Sequence, residues 1–359
     1  MKRARSVGSR VLCSARELTP DTLTSGQAFR WRRNEAGDEW SSPLHGRLFR
    51  LTWTPAATVE FRVEPEPADA DKDSARSFLR DYFRLDADLG ELIRGWARRD
   101  AHFGNNALDV PIRQLRQDPF ETLMSFICSQ NNNIARITGM IDKLCQTFGT
   151  RIIGDHYAFP TLDQMAAATE TQLRELGFGY RAPYIVGAIE RLRSKGPSYL
   201  MSLRQRTLDE CRAELTAFKG VGLKVADCVA LFSLDQRAVV PVDTHVWQFA
   251  RDLYKLEGLD TVKTLTPNVY RQVSSKLTDL WGEEAGWAHS FCFNTKVKTK
   301  RTPKKRTPKE KLEPIKADDE NNDTPADKHV KEKKLAKRPK KEKQKAEMDG
   351  EAGKKAKKN

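Results

Sequence analysis

The sequence predicts an α+β protein: a small antiparallel β region, then a mostly helical body, then a disordered basic tail. Three observations carry this. Short aromatic or β-branched runs separated by turn residues fill positions 18 to 66. Capped segments with apolar residues at helical spacing follow to about residue 295. From Lys296 onward aromatics are lost and Lys, Glu, Pro and Ala recur.

Taken in order, residues 1–17 open with "MKRARSVGSRVLCSAR", rich in Arg and Ser and free of acids. Two readings stand, a flexible terminus or an organelle transit segment. Residues 18–108 form the expected β-containing N-terminal domain, with strands at "QAFRWRR", "LFRLTW" and "TVEFRV". The stretches "NEAGDEWSSP" and "TPAA" act as separators, and helical patterning begins at "DADKDSARSFLRDYF". Residues 109–295 form the helical domain. "DPFETLMSFICSQ" starts with Asp118 as cap, Pro119 at the first helical position and Glu121 at the third. "IARITGMIDKLCQTFG" stops at Gly149, and "TLDECRAELTAF" repeats the capping logic with Thr207 and Glu210. "NVYRQVSSKLTDLWG" and "EEAGWAHSFCFN" complete the ordered part, and residues 296–359 are the tail.

The formal charge of +14 is unevenly placed. Residues 296–359 hold 24 Lys/Arg against 12 Asp/Glu, leaving only +2 for the preceding 295 residues. The tail buries too little apolar surface to offset ordering entropy. Its basic, proline-containing clusters read as a nuclear-import address, a nonspecific phosphate binder or a solvated tail. Six cysteines show no C-x-x-C and no metal-ligand spacing, which points to a reducing compartment without structural zinc. No apolar stretch reaches membrane-spanning length.

The informative stretch is "FKGVGLKVADC", residues 218–228. Gly220 and Gly222 lead into an apolar helix whose first turn holds Lys224. A cation is poorly placed there, by roughly 0.3–1 kcal/mol if exposed. The bend reads either as an ordinary αα-hairpin or as a helix-hairpin-helix that grips a DNA backbone through the bare N–H groups of Gly220, Val221 and Gly222. Walker A spacing is absent. Nineteen residues on, "VVPVDTHVWQFARDL" places Asp243 as the cap of another helix, a role Asp fills in many proteins.

Hairpin, lysine and capping aspartate together resemble the helix-hairpin-helix DNA glycosylases with a Gly/Pro/Asp signature. With "SGQAFRW", "SFICSQNNNIARITGMIDKLCQTFG", "LGFGYRAPY" and "LWGEEAGWAHSFCF", residues 18–293 resemble the eukaryotic 8-oxoguanine DNA glycosylase/AP lyase family. The resemblance implies a TATA-binding-protein-like N-terminal β domain and two helical subdomains flanking a cleft. It implies a monomer without cofactor or metal, acting on double-stranded DNA with an oxidised purine opposite cytosine. Downstream repair proteins are not legible as partners. A nuclear location fits the tail, and a mitochondrial one fits the N-terminus.

The resemblance also assigns roles. Lys224 would attack the sugar carbon C1′, and an apolar pocket at a helix start would leave its amine neutral and nucleophilic. Asp243 would support the charge developing on the sugar. The Gly26 carbonyl would accept from N7–H of the lesion, with Cys228 and Phe293 on opposite faces of the extruded base. Asn131 would fill the gap in the duplex, Tyr180 would wedge into the stack, and Arg136 and Arg181 would read the orphaned cytosine. His245 is either a phosphate contact or a satisfied helix-start residue. Two positions depart from the family: Lys219 replaces a proline in the bend, and His289 replaces a glutamine on the Watson–Crick edge. Iron–sulfur relatives need four cysteines after the aspartate, where only Cys292 stands. Alkylpurine glycosylases lack the lysine. A noncatalytic DNA-binding module is the alternative from another class.

Overall fold

A computed structural model of the chain describes residues 8–66, 72–106, 111–255, 262 and 264–301. The chain divides into Met1–Lys304 and Lys305–Asn359, and every described residue lies in the first unit.

The N-terminal sheet has five antiparallel strands in the order β1-β5-β4-β3-β2: β1 (Arg10–Ser14), β2 (Arg32–Arg33), β3 (Glu39–Leu44), β4 (Arg47–Trp53) and β5 (Thr58–Glu64). A short helix, α1 (Pro20–Thr24), follows β1. β3 and β4 join through His45 and Gly46, both at positive φ (46° and 73°), the two-residue turn whose twist matches paired strands. Helix α2 (Lys72–Tyr82) packs Ala75, Leu79 and Tyr82 against the sheet's apolar face.

Three sequence expectations are corrected here. Residues 10–14, placed in the flexible N-terminal segment, form β1, because Leu12 and Cys13 bury against β5. "EWSSPL", read as part of a separator, is β3; its buried residues include Ser41, Ser42 and Pro43, so the core face carries no apolar alternation. Of "QAFRWRR" only Arg32–Arg33 is strand, and Phe29 and Trp31 are core anchors on irregular chain.

The helical body has two cores. One gathers α5 (Pro119–Cys128), α6 (Ile134–Phe148), α8 (Ala182–Lys195), α10 (Leu208–Thr216) and α11 (Leu223–Ser233), with the small β6–β7 hairpin (Arg151–Ile153, His156–Tyr157), α7 (Glu170–Glu175) and α9 (Tyr199–Ser202) around it. The other gathers α12 (Thr244–Asp252), α13 (Pro267–Trp281) and α14 (Ala285–Arg301) with α3 (Leu89–Arg99) and α4 (Ala101–Asn106). Residues 89–106, assigned by sequence to the β-containing domain, therefore share their core with the last three helices. Amphipathic periodicity reveals that a helix has a buried face, not which partner covers it. Helix α14 continues to Arg301, past the expected end of the ordered part at 295; residues 302–359, the rest of the expected tail, lie outside the described residues.

Candidate active site

The hairpin is built as its residues dictate. Thr207 caps α10 and receives Glu210 in return, a complete capping box. Phe218 and Val221 bury beneath the bend, anchored by Val221 N–H donating to the Phe218 carbonyl at 3.0 Å. The two glycines differ in kind. Gly220 sits at φ +80°, and a Cβ there would lie 2.4 Å from the Tyr184 ring, so the fold itself demands glycine. Gly222 has an ordinary φ of −94°, is exposed, and a Cβ there would meet nothing. Intramolecular packing gives no reason for that second glycine. It caps α11 without a side chain, leaving backbone N–H groups at the helix start open to a ligand.

Lys224 follows in the first turn of α11 and lines a small cleft, about 50 Å³, with Gly26, Cys228, Asp243 and His289. Its Nζ stands 5.1 Å from the centre of the Phe126 ring, which is stacked on Phe232 at 5.6 Å and 22°. The two rings form an apolar wall of the cleft beside the amine. Asp243 caps α12: its carboxylate accepts from the N–H groups of His245 (2.9 Å) and Val246 (2.8 Å). Two backbone donors fix the carboxylate at the cleft.

Gly26 adopts φ +84°. Its segment is pinned by Gln27, whose side-chain amide donates to the Arg113 carbonyl and accepts from Leu115 N–H, each at 2.9 Å. Arg113, itself buried, donates to the carbonyls of Glu17, Arg84 and Ala87 at 2.7–2.9 Å. The Gly26 backbone is therefore held rigidly opposite the lysine helix.

Electrostatics divides the remaining cleft residues. Burial pushes His289 down to about 4; the Asp243 carboxylate opposes the shift and the Lys224 ammonium adds to it. The imidazole is thus neutral at physiological pH, with one donor and one acceptor. Burial pushes the Cys228 thiol up to about 11 against the pull of Lys224, so it meets the cleft as a small neutral group. Phe293 lies on α14 one turn beyond His289; its side chain is outside the described residues.

A second group assembles at the junction of α5 and α6. Asn131 is exposed at φ +44°, a left-handed conformation that asparagine tolerates better than most residues. Tyr180 is 45% exposed and donates its hydroxyl to the Gln130 carbonyl at 2.9 Å. Arg181 is only 2% exposed: it lies under Tyr180, 4.4 Å from the ring centre, and donates to the carbonyls of Gln130 and Asn131. In this state it supports the Asn131 turn from beneath rather than reaching outward. Arg136 is exposed in the first turn of α6. His245 sits half-buried just after Asp243. Phe126 was missed from sequence, because α5 is apolar on nearly every face and nothing there singles out one phenylalanine.

A lysine just past a two-glycine bend, sharing a cleft with a capping aspartate, defines a helix-hairpin-helix base-excision enzyme, and the comparisons agree. Residues 124–272 match the HhH-GPD superfamily base excision DNA repair protein model. Residues 10–123 match the 8-oxoguanine DNA glycosylase N-terminal domain. The N-glycosylase/DNA lyase OGG1 of Arabidopsis thaliana is 39% identical over 297 residues, covering 80% of this chain and 79% of that protein. The N-glycosylase/DNA lyase of Saccharomyces cerevisiae is 34% identical over 313 residues, covering 77% and 82%. A crystal structure of Clostridium acetobutylicum 8-oxoguanine glycosylase/lyase, in complex with dsDNA containing cytosine opposite to 8-oxoG, superimposes with a TM-score of 0.69 at 28% identity, covering 80% of this chain and 93% of that one. The chain therefore belongs to the 8-oxoguanine DNA glycosylase/AP lyase family.

Proposed function

We propose that the protein is a bifunctional DNA glycosylase/AP lyase that excises 8-oxoguanine, and formamidopyrimidine lesions with it, opposite cytosine. The observation that carries this reading is Lys224 and Asp243 lining one aromatic-walled cleft beside the pinned Gly26 backbone. The damaged nucleotide is extruded from the duplex, at a cost of a few kcal/mol. Lys224, as the neutral amine, uses its Nζ lone pair to form a bond to C1′ as the bond from C1′ to the base nitrogen breaks; the base leaves with that bond's electrons and takes up the proton that Nζ sheds. Asp243 stabilises the positive charge that grows on the sugar meanwhile. Opening of the sugar ring gives a Schiff base between Nζ and C1′. Loss of a C2′ proton then expels the 3′ phosphate by β-elimination.

Recognition follows from hydrogen-bond polarity. Oxidation turns N7 of guanine from acceptor to donor, so the Gly26 carbonyl favours the lesion and repels the normal base. Cys228 and Phe293 flank the base, and Gly220, Val221 and Gly222 hold the backbone phosphate with His245. On the other strand Asn131 fills the gap, Tyr180 wedges into the stack, and Arg136 and Arg181 engage the estranged cytosine. Arg181 must first give up its contact with Gln130. His289, neutral and with a geometry unlike glutamine's, reads the Watson–Crick edge more loosely and weakens selectivity among oxidised purines. An unchanged preference for 8-oxoguanine over formamidopyrimidine in His289→Gln would refute that point.

The enzyme reading is tested by borohydride reduction with 8-oxoguanine duplexes opposite each of the four bases. A covalent complex, strongest opposite cytosine and absent in Lys224→Gln, is expected. Binding without trapping would mean a noncatalytic module. The basic tail supports a nuclear location and the Arg/Ser-rich N-terminus a mitochondrial one; fluorescent fusions of each segment separate the two.

A further inference from the structure

Behind the cleft lies a polar chain that the reaction as described does not use. Asp227, on α11 one turn after Lys224 and adjacent to Cys228, is fully buried at 0% exposure. A buried carboxylate is costly unless paired and hydrogen-bonded. Asp227 meets both conditions. Arg212 of α10 donates to it in a two-pronged fashion, Nε at 2.7 Å and Nη2 at 2.9 Å. The hydroxyl of Tyr270, on α13, donates to it at 2.6 Å. That hydroxyl in turn accepts the backbone N–H of Val242, the residue immediately before Asp243, at 3.3 Å.

The Tyr270 bond is one rung of a ladder. The segment 238–242 leaves a turn at 237–238 and runs outside helix and strand into Asp243, and α13 presents hydroxyls to it at four-residue spacing. Thr278 donates to the Ala238 carbonyl at 2.8 Å and Ser274 to the Val240 carbonyl at 2.9 Å. Four residues advance α13 by about 6 Å, within the roughly 7 Å that two residues of chain can span, so the rungs match. Thr278 and Ser274 bind only that segment. Tyr270 alone also reaches the lysine helix.

We infer that Asp227 and Tyr270 are positioning residues: with Arg212 they tie α11, which carries Lys224, to the segment that delivers Asp243, and so set the geometry in which amine and carboxylate act. This rests on the glycosylase reading above. The chain of donors is directional and each proton is used once: Val242 N–H to the Tyr270 oxygen, Tyr270 O–H to Asp227, Arg212 to Asp227. Burial and the Asp227 charge push the Tyr270 phenol well above its ordinary value, so it stays protonated and remains a donor across the working pH range. A misplacement near 1 Å at a reacting centre lowers a rate about a hundredfold. Removing one hydroxyl that leaves the ring packed should cost less.

The test is Tyr270→Phe, which keeps the buried ring and deletes the link. Single-turnover excision of 8-oxoguanine opposite cytosine should fall about tenfold, while affinity for a duplex carrying a non-cleavable abasic analogue stays within twofold of wild type. Tyr254→Phe is the control. Tyr254 also donates its hydroxyl to a buried carboxylate, Asp100, in the same helical core, but touches neither Asp227 nor the segment 238–242. It should lower the melting temperature and leave the excision rate within twofold. On an Asp243→Asn background, Tyr270→Phe should cause no further loss, since the carboxylate it positions is gone. Wild-type excision rates in Tyr270→Phe, or rate losses in both phenylalanine variants that merely track their melting temperatures, would overturn the inference. A wild-type protein that neither excises nor is trapped would instead sink the enzyme reading itself.

Discussion

The two glycines of the bend should fail differently when each becomes alanine. At Gly220 two penalties combine. An L-residue held at φ +80° costs about 1–2 kcal/mol. The new methyl would also sit 2.4 Å from the Tyr184 ring, and overpacking of this kind costs about 1–3 kcal/mol. Together they predict a loss of about 2–5 kcal/mol, or roughly 3–8 °C in melting temperature for a unit of this size. At Gly222 the methyl meets nothing and the backbone is already in a common conformation. There, alanine restricts the unfolded chain by about 0.4–1 kcal/mol and is a poorer N-cap by a similar amount. Stability should shift by no more than about 2 °C.

Affinity separates the variants further. On the proposed function a methyl at Gly222 would stand where a phosphate approaches the helix start, so the loss of about one hydrogen bond, near tenfold in Kd, is expected. Thermal melts and fluorescence anisotropy on the same preparations measure both quantities. Adding Tyr184→Ala to Gly220→Ala should recover the steric part of the loss and leave the φ part. A Gly220→Ala protein melting within 2 °C of wild type would show the bend to be more compliant than its geometry allows. A Gly222→Ala protein that binds DNA normally would remove the open amide edge from the DNA contact.

Two further outcomes follow from burial. His289 is neutral in the fold but is protonated in the unfolded chain below its ordinary value of 6.5. The unfolded state therefore binds the extra proton between pH 6.5 and about 4, and stability falls as pH drops through that window, by up to about 3 kcal/mol. His289→Gln should flatten that part of a denaturant-midpoint-versus-pH curve, and an unchanged slope would assign it to other groups. A chain starting at Gly8 keeps β1 and the hydrogen bond from the Ser9 hydroxyl to Glu60 at 2.8 Å. One starting at Glu17 loses β1, uncovers an edge of β5 and gives up the burial of Leu12, about 2 kcal/mol or more; equal melting of the two by calorimetry would contradict this.

What was legible in the sequence was what local chemistry dictates. The Thr207–Glu210 capping box, the bend at Gly220 and the Asp118 and Asp243 caps each leave a signature within four residues. Strand β3 is hidden in the sequence because both its faces are covered over Ser41–Leu44, and Ser41, Ser42 and Pro43 are residue types that signal a loop. Phe126 and the partnership of α3 and α4 with α13 and α14 depend on which apolar faces meet, a choice made by the whole chain. Asp227 and Tyr270 were hidden for the opposite reason. A lone carboxylate in an apolar helix, and hydroxyls at 270, 274 and 278, look like solvated positions until tertiary structure turns them inward. The signal that was available is the four-residue spacing of Tyr270, Ser274 and Thr278 beside the run that ends at Asp243.

That buried chain bears on how a cleft of about 50 Å³ admits a base. A cavity of that size holds about one or two waters, far less than a purine, so some wall must yield. The Gly26 segment is tied down by Gln27 and Arg113. Helix α11 is tied at Asp227 to α10 and α13, and the run into Asp243 is laddered onto α13. Those three walls carry the groups whose mutual placement decides the chemistry. The Phe126 and Phe232 rings, by contrast, are held to the cleft by packing, and packed rings can turn without breaking a backbone hydrogen bond. On the proposed function, entry of a base would be accommodated on the aromatic side, with Lys224, Asp243 and the Gly26 carbonyl keeping their places. Tied walls for the reacting groups and yielding packed rings would let the same site close around a purine.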